Sequence, residues 1–183
     1  MEAIVSLLDA HTNEKVLDIW DELNQRCGLR AVLASPIPHF TWQAAESYNQ
    51  PGAKEMLRGI GCNYREFRVR IVGLGIFSGE KPTLYISLVR DRLLTRLHQE
   101  LWKKIVPWAN TPSWYYSPAM WVPHITLAYQ DLTEENLPCA LKAVAFQSFD
   151  WEIVVDNLAI LCQNQDGTGA LEERIIFNME KID

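Results

Sequence analysis

Two short stretches of the sequence carry the same arrangement of a histidine and a threonine. They read Pro-His-Phe-Thr-Trp at 38–42 and Pro-His-Ile-Thr-Leu at 123–127. Side chains two positions apart on a β-strand point to the same face, so His39 projects beside Thr41 and His124 beside Thr126. The chain has four histidines, and two of them lie in this pattern. Because an unperturbed imidazole titrates near neutral pH, one member of such a pair can accept a proton while the other donates one.

In-line displacement at phosphorus is a reaction that needs both imidazoles at once. One group takes a proton from the entering oxygen, and the other gives a proton to the leaving oxygen from the opposite side of the phosphorus. The hydroxyls of Thr41 and Thr126 can donate hydrogen bonds to the non-bridging oxygens, where charge is held in the transition state. This chemistry requires no metal ion, and we see no cysteine and histidine spacing that matches a zinc site. We therefore predict a catalytic site without metal or cofactor.

Hydrophobic periodicity predicts the elements that position these residues. Besides the two motif strands, it predicts strands at 3–8, 29–34, 64–77, 83–89, 149–161 and 171–179. It predicts helices over 14–27, 53–60, 91–106 and 134–145, with Gly28 ending the first and Thr133 capping the last. Residues 108–120 read as a loop, and residues 164–169 have the composition of a turn. Gly73 and Gly75 suggest a bulge in the strand at 64–77.

The order of these elements repeats along the chain. A helix, a His-x-Thr strand, a second helix and two strands occur from 14 to 89 and again from 91 to 179. This organisation predicts an α+β chain of one bilobal domain, residues 1–183, whose halves at approximately 1–90 and 91–183 are related by a pseudo-two-fold axis. The two motif strands would meet at the interface, with one histidine on each side of the phosphorus.

The paired motifs resemble those of the 2H phosphoesterase superfamily, which includes 2′-5′ RNA ligases and RNA 2′,3′-cyclic phosphodiesterases. The stretch at 73–89 also resembles the hairpin that follows the first motif in that family. The resemblance implies two antiparallel sheets with flanking helices around a central cleft. It implies hydrolysis of a 2′,3′-cyclic phosphate, or cleavage and joining of a 2′-5′ phosphodiester. It also implies that His39 is the general acid, that His124 is the general base, and that Thr41 and Thr126 bind the phosphate.

Further substrate contacts are open at the sequence level. Members of this family often carry a basic residue soon after the second motif, where this chain has Ala-Tyr-Gln-Asp at 128–131. Arg68 and Arg70 share a strand face and can supply positive charge instead, although alternating charges more often mark a solvated face. Tyr115 and Tyr116 can stack on an unpaired base. Packing of their loop onto the surface is an equal alternative.

Composition limits the partners. A net charge of −6 disfavours binding of long duplex nucleic acid by phosphate neutralisation, whereas a nucleotide or an RNA 2′,3′-cyclic phosphate end remains a suitable substrate.

We see no membrane-spanning segment, and the opening apolar run reads as a strand and not as a signal peptide. We expect a cytoplasmic monomer whose four cysteines are reduced, since none forms a C-x-x-C pair. We expect His11 and His98 to be solvated.

A binding module is the alternative to an enzyme. It would keep the same fold and bind a nucleotide or an RNA end with little or no turnover. The acidic balance and the missing basic residue after the second motif favour it. The intact histidine and threonine in both motifs favour the enzyme.

Overall fold

A computed structural model describes residues 1–164 and 167–178, which form an α+β fold with antiparallel strands, as predicted. The strands are β1 Glu2–Leu7, β2 His39–Tyr48, β3 Phe67–Phe77, β4 Thr83–Leu88, β5 Ala109–Pro112, β6 His124–Ala128, β7 Glu152–Val155, β8 Asn157–Gln163 and β9 Gly169–Ile176. The α-helices are α1 Ala10–Cys27, α2 Gln50–Gly61, α3 Arg92–Ile105 and α4 Leu137–Val144. Short 3₁₀ helices span Ala31–Ala34, Val106–Trp108 and Trp114–Tyr116.

The two motif strands are neighbours in the middle of the sheet. Strand order is β7-β3-β4-β6-β2-β1-β8-β9, and β5 pairs with β2 outside this path. One register pair, Phe40 with Ile125, joins β2 to β6. We call this junction of β2 and β6 the seam. The hairpin of β3 and β4 from early in the chain flanks the second motif, while β1 and the late hairpin of β8 and β9 flank the first. Both motifs therefore meet at the seam.

The motif strands bury one face and leave the other for the site. Phe40 and Trp42 of β2 and Ile125 and Leu127 of β6 are at most 1 % exposed and belong to the main hydrophobic core. The alternation of side chains along a strand then directs the histidines and threonines away from this core. Burial of four large apolar side chains, each contributing about 1.5–3 kcal/mol, thus fixes which face the motifs offer to solvent.

Helix α1 shows how local sequence sets the boundaries. The Asp9 side chain accepts a hydrogen bond from the Thr12 main-chain N–H, so the helix begins four residues earlier than its apolar spacing indicated. It ends, as predicted, at Gly28, whose φ of 71° lies in the left-handed region that glycine tolerates. The bulge expected around Gly73 is also present, because the register of β3 against β4 shifts between Ile71 and Leu74.

Four element predictions are wrong or incomplete. The strand predicted at 29–34 is a 3₁₀ helix, because Asp131 accepts hydrogen bonds from the main-chain N–H groups of Arg30 and Ala31 at 2.7 Å each. Residues 108–120 contain strand β5 as well as loop. The strand predicted at 149–161 is two strands, β7 and β8, which lie in different parts of the sheet. Helix α4 begins at Leu137, since residues 133–136 form a turn. Residue 179 and the Gln165–Asp166 part of the predicted turn lie outside the described residues.

The cysteine prediction is wrong for two of the four residues. Cys27 at the end of α1 and Cys139 in α4 form a disulfide, with their Cα atoms 5.7 Å apart across 112 residues of sequence. Packing of α1 against α4 brings them together, and no sequence spacing reveals that. Cys62 and Cys162 are free thiols. None of the helices within residues 1–164 and 167–178 is long and apolar enough to cross a membrane.

Candidate active site

The two motif histidines are held by the same main-chain interaction. Nδ1 of His39 lies 2.6 Å from the carbonyl oxygen of Ile37, and Nδ1 of His124 lies 2.7 Å from that of Val122. A carbonyl oxygen only accepts a hydrogen bond, so Nδ1 carries the proton in each neutral ring. Nε2 of each ring is then left with a lone pair that can take a proton or, once protonated, give one.

The register of the seam brings the four motif side chains to one face. Extending the Phe40–Ile125 pair by one residue in each direction sets His39 opposite Thr126 and Thr41 opposite His124. Directly opposed residues in an antiparallel pair are about 5 Å apart, and diagonal ones about 7–8 Å. The histidines therefore lie diagonally across the seam, and each has the threonine of the other motif beside it. All four side chains are half-buried.

Burial makes both rings easier to keep neutral. It lowers the pKa of His39 and of His124 from the usual value, against the hydrogen bonds to Ile37 and Val122, which raise it. Positive charge on His124 lowers the pKa of His39 further, so the two imidazoles are close enough to repel each other. A phosphate anion bound between them would raise both pKa values and allow one ring to carry a proton.

Two tryptophans support the main chain of the motif strands at the threonines. The indole N–H of Trp121 donates to the carbonyl oxygen of Thr41 at 2.9 Å, and that of Trp20 donates to the carbonyl oxygen of Thr126 at 3.0 Å. Since one register pair alone joins β2 and β6, these indoles supply donors where strand pairing is short. No sequence signal pointed to either contact, because the partners are 80 and 106 residues apart.

An aromatic group next to His124 was missed by sequence reasoning. The ring of Phe77 meets the His124 ring edge-on at 4.9 Å between centroids, and the Tyr85 ring lies 5.1 Å away. Phe77 and Tyr85 stack on each other at 4.2 Å. Gly75 makes room for them, because a Cβ there would overlap the Tyr85 ring. The register of the hairpin of β3 and β4 was the missing information.

The predicted arginines lie farther out. Arg68 and Arg70 are on β3, which is separated from β6 by β4, and they lie in the part of β3 that pairs with β7, beyond its first register pair with β4 at Ile71. Both are exposed; Arg70 pairs with Asp150 at 2.9 Å, and Arg68 lies 3.7 Å from Glu152. The structure therefore does not gather them with the histidines, and a role in substrate binding stays a prediction.

The predicted tyrosines separate into one at the site and one at the surface. Burial raises the pKa of the Tyr116 phenol, and the neighbouring Thr41 side chain lowers it. Tyr115 is 78 % exposed in the same 3₁₀ helix. Tyr116 thus contacts the first motif directly, whereas stacking of Tyr115 on a base stays a prediction.

His98 is completely buried, so the prediction that it is solvated is wrong. The segment that follows α3 folds back over the helix and covers this side chain, whose Nε2 lies 3.0 Å from the carbonyl oxygen of Tyr116. Burial lowers the pKa of His98 to about 4, so the ring is neutral near pH 7. His11 is exposed, as predicted.

Among the described residues, one group of side chains could bind a cation. It consists of Glu2 on β1, Cys162 on β8 and Glu172 on β9. The Cys162 thiol donates to Glu172 at 2.8 Å, and burial raises its pKa to about 12. Lys54 also bonds Glu172 at 2.5 Å. A protonated thiol and a carboxylate already paired with a lysine are poor metal ligands, so we assign no metal to this group.

Comparison with known proteins places this geometry in context. The sequence matches the 2′-5′ RNA ligase superfamily over residues 10–167. A crystal structure of TT0787 of Thermus thermophilus is similar at a TM-score of 0.67 and 16% identity, covering 96% of this chain and 97% of that chain. A structure of E. coli LigT complexed with 3′-AMP is similar at 0.60 and 13%, with 97% and 98% covered.

A crystal structure described as a phosphoesterase is similar at a TM-score of 0.58 and 14% identity, covering 97% of this chain and 98% of that chain. No curated protein matches by sequence. These likenesses confirm the predicted α+β fold of the 2H phosphoesterase type.

Proposed function

The chain belongs to the 2′-5′ RNA ligase superfamily, and from that premise we propose that it hydrolyses 2′,3′-cyclic phosphates or 2′-5′-linked nucleotides by paired-histidine acid–base catalysis. Family membership supports a 2H phosphoesterase-type function in general. The reaction, the substrate and the residue roles are our proposal.

The observation that carries the proposal is the arrangement of four side chains on one face of the seam. His39 and His124 both bond a carbonyl through Nδ1, which leaves both Nε2 atoms for proton transfer. Their diagonal relation in the register suits two groups that act on opposite sides of one phosphorus atom. Thr41 and Thr126 occupy the other diagonal of this face, and their hydroxyls suit hydrogen bonding to non-bridging oxygens.

The proposed step is a single displacement. Nε2 of His124 takes a proton from water as the water oxygen forms a bond to phosphorus. The bond from phosphorus to one ribose oxygen breaks, and Nε2 of His39 gives its proton to that oxygen. Each histidine ends in the protonation state that the other had before, and proton exchange with solvent resets the pair. Both rings are anchored in the same way, so we take the assignment of acid and base from the family resemblance.

Substrate size is the second part of the proposal. The E. coli LigT structure that this chain resembles is complexed with 3′-AMP, which supports a ligand of nucleotide size here. The net charge of −6 supports a small phosphate end over a long duplex. In this proposal Arg68, Arg70 and Tyr115 contact parts of a longer substrate beyond the phosphate.

The test is hydrolysis of the four nucleoside 2′,3′-cyclic monophosphates in EDTA between pH 5 and 9. We expect a bell-shaped profile of kcat/KM that survives chelation, and a loss of roughly 10²–10⁴-fold in His39→Ala and in His124→Ala. His11→Ala is the matched control, because that histidine is exposed and lies outside both motifs. Turnover that requires added metal, or that persists in either motif variant, would refute the mechanism.

A nucleotide-binding module is the second candidate. The exposed, acid-paired arginines and the absence of a basic residue directly after the second motif favour it. If wild type binds 3′-AMP in titration calorimetry but hydrolyses neither cyclic monophosphates nor a 2′-5′-linked dinucleotide, the binding module replaces the enzyme.

A further inference from the structure

His98 is a buried titratable side chain that the proposed reaction does not use. It lies on α3 and is 0 % exposed. Its ring stacks on the indole of Trp121, with centroids 3.8 Å apart and planes 2° from parallel. Its Nε2 lies 3.0 Å from the carbonyl oxygen of Tyr116, which can only accept, so the neutral ring donates from Nε2.

Trp121 and Tyr116, two of the residues that His98 contacts, both lie against Thr41. The indole N–H of Trp121 donates to the main-chain carbonyl of Thr41 at 2.9 Å. The phenol of Tyr116 lies beside the Thr41 side chain, which lowers the pKa of that phenol. One imidazole is therefore linked to the main chain of Thr41 through Trp121, and it bonds the carbonyl of Tyr116, whose phenol lies beside the Thr41 side chain.

We propose that His98 is a positioning residue that holds the Thr41 hydroxyl in place for the phosphate through Tyr116 and Trp121. This inference rests on the proposed function of Thr41. The residue type suits the task, because a neutral imidazole combines a flat face for the indole with one N–H for the carbonyl. An aliphatic residue of similar size would leave the Tyr116 carbonyl without its donor in a buried place.

The proposal has a specific kinetic consequence. A hydroxyl that bonds non-bridging oxygens acts most strongly in the transition state, so misplacing it lowers kcat more than it changes KM. A small displacement of a catalytic group costs roughly ten- to a hundredfold in rate. A residue that served stability alone would change neither constant in the folded protein.

The experiment compares two substitutions of His98. His98→Phe keeps a ring against Trp121 but removes the N–H, and His98→Gln keeps an amide donor of similar reach. We expect His98→Phe to lower kcat roughly ten- to a hundredfold with KM nearly unchanged, and His98→Gln to recover part of the loss. In a Thr41→Val background, His98→Phe should lower kcat no further. A folded His98→Phe with wild-type kcat, or an undiminished loss in the Thr41→Val background, would overturn the proposal.

Tyr116→Phe carries the same test if His98→Phe does not fold, because it removes one hydroxyl only. It should lower kcat in wild type and leave it unchanged in Thr41→Val; an equal loss in both backgrounds contradicts the route through Tyr116.

A spectroscopic arm separates this inference from the proposed reaction. The indole N–H resonance of Trp121, identified by its loss in Trp121→Phe, and the methyl resonance of Thr41 are recorded by NMR without substrate. Both should shift in His98→Phe and return towards wild type in His98→Gln. If wild type lacks turnover but these shifts occur, the proposed function fails and the positioning role stands. If the Thr41 methyl does not shift, the positioning role fails whatever the activity.

Discussion

The first and second motifs are anchored alike and surrounded differently. In each, the histidine bonds the carbonyl two residues before it, and a distant indole bonds the threonine carbonyl. The indoles, however, come from unlike places: Trp121 lies three residues before the start of β6, whereas Trp20 lies in α1. Indoles from two different parts of the chain thus bond the same main-chain position in both motifs. This indicates that both motifs require the main chain to be held in place at the threonine.

The neighbouring strands supply the difference. On β1, Leu7 is opposite His39 and Val5 is opposite Thr41. On β4, Ser87 is opposite His124, and Tyr85 is opposite Thr126. On the neighbouring strands, the first motif therefore adjoins two aliphatic side chains, and the second adjoins a serine and a tyrosine.

Among the substitutions that test whether the two motifs act alike, those at the threonines should have the largest effect on kcat. Thr41→Val and Thr126→Val each remove one hydroxyl while keeping the shape of the side chain and the carbonyl that the indole bonds. We expect each to lower kcat by roughly 10²–10³-fold, as loss of one donor to transition-state charge does. Steady-state kinetics on a cyclic monophosphate measures this. Thr133→Val, in an exposed turn, is the control. If one substitution is silent, the two motifs do not share the phosphate.

The pH dependence of unfolding tests the surroundings of the first motif, where His98 lies. Burial is the main cause that lowers the pKa of His98 to about 4, and Arg90 lowers it further, against the carbonyls of Tyr116 and Trp42. The unfolded chain binds this proton below about pH 6.5, while the folded protein resists it until about pH 4. Stability is thus complete above pH 6.5 and falls with decreasing pH, by about 3 kcal/mol for this group.

Urea unfolding of wild type and His98→Gln between pH 7.5 and 4 tests this expectation. His39 and His124 also have lowered pKa values and contribute in the same direction, so the difference between the two proteins isolates His98. The variant should lose less stability on acidification. Parallel pH dependences for both proteins would contradict a neutral buried His98.

The sequence predicted what depends on local spacing. The His-x-Thr strands, the end of α1 at Gly28 and the bulge near Gly73 follow from residue types within a few positions of one another. The apolar run at 29–34 was misread because Asp131, 100 residues away, bonds its main chain and favours a 3₁₀ helix. No local pattern contains that partner.

The surroundings of the site were beyond prediction for the same reason. The stacking of His98 on Trp121, the disulfide of Cys27 with Cys139 and the contact of Phe77 with His124 each join distant segments. The sequence predicted a solvated His98, but helical periodicity cannot tell whether solvent or another segment covers the polar side of a helix. The residues of the motifs were therefore predictable, and the residues that orient them were not.

We expect the smallest effect on kcat from a substitution in the hairpin of β3 and β4 beside His124. This effect should also be the one most confined to a single motif. In Gly75→Ala the added methyl would overlap the Tyr85 ring, so the ring must move, and Phe77 with it. Because both rings contact His124, its imidazole should be displaced, with a loss in kcat of about tenfold or less. His39 lies across the seam and has no contact with either ring among those the structure describes, so its environment should be retained.

Histidine NMR during a pH titration separates the two outcomes. In Gly75→Ala the resonances and the titration midpoint of His124 should change, while those of His39 shift only through the repulsion between the two rings. Gly59→Ala is the matched control, since a Cβ there meets nothing within 4 Å and the position lies inside α2. Equal changes at both histidines would mean that the two motifs respond as one rigid unit. The aromatic side of the second motif would then be a part of the shared framework and not the feature that distinguishes it from the first.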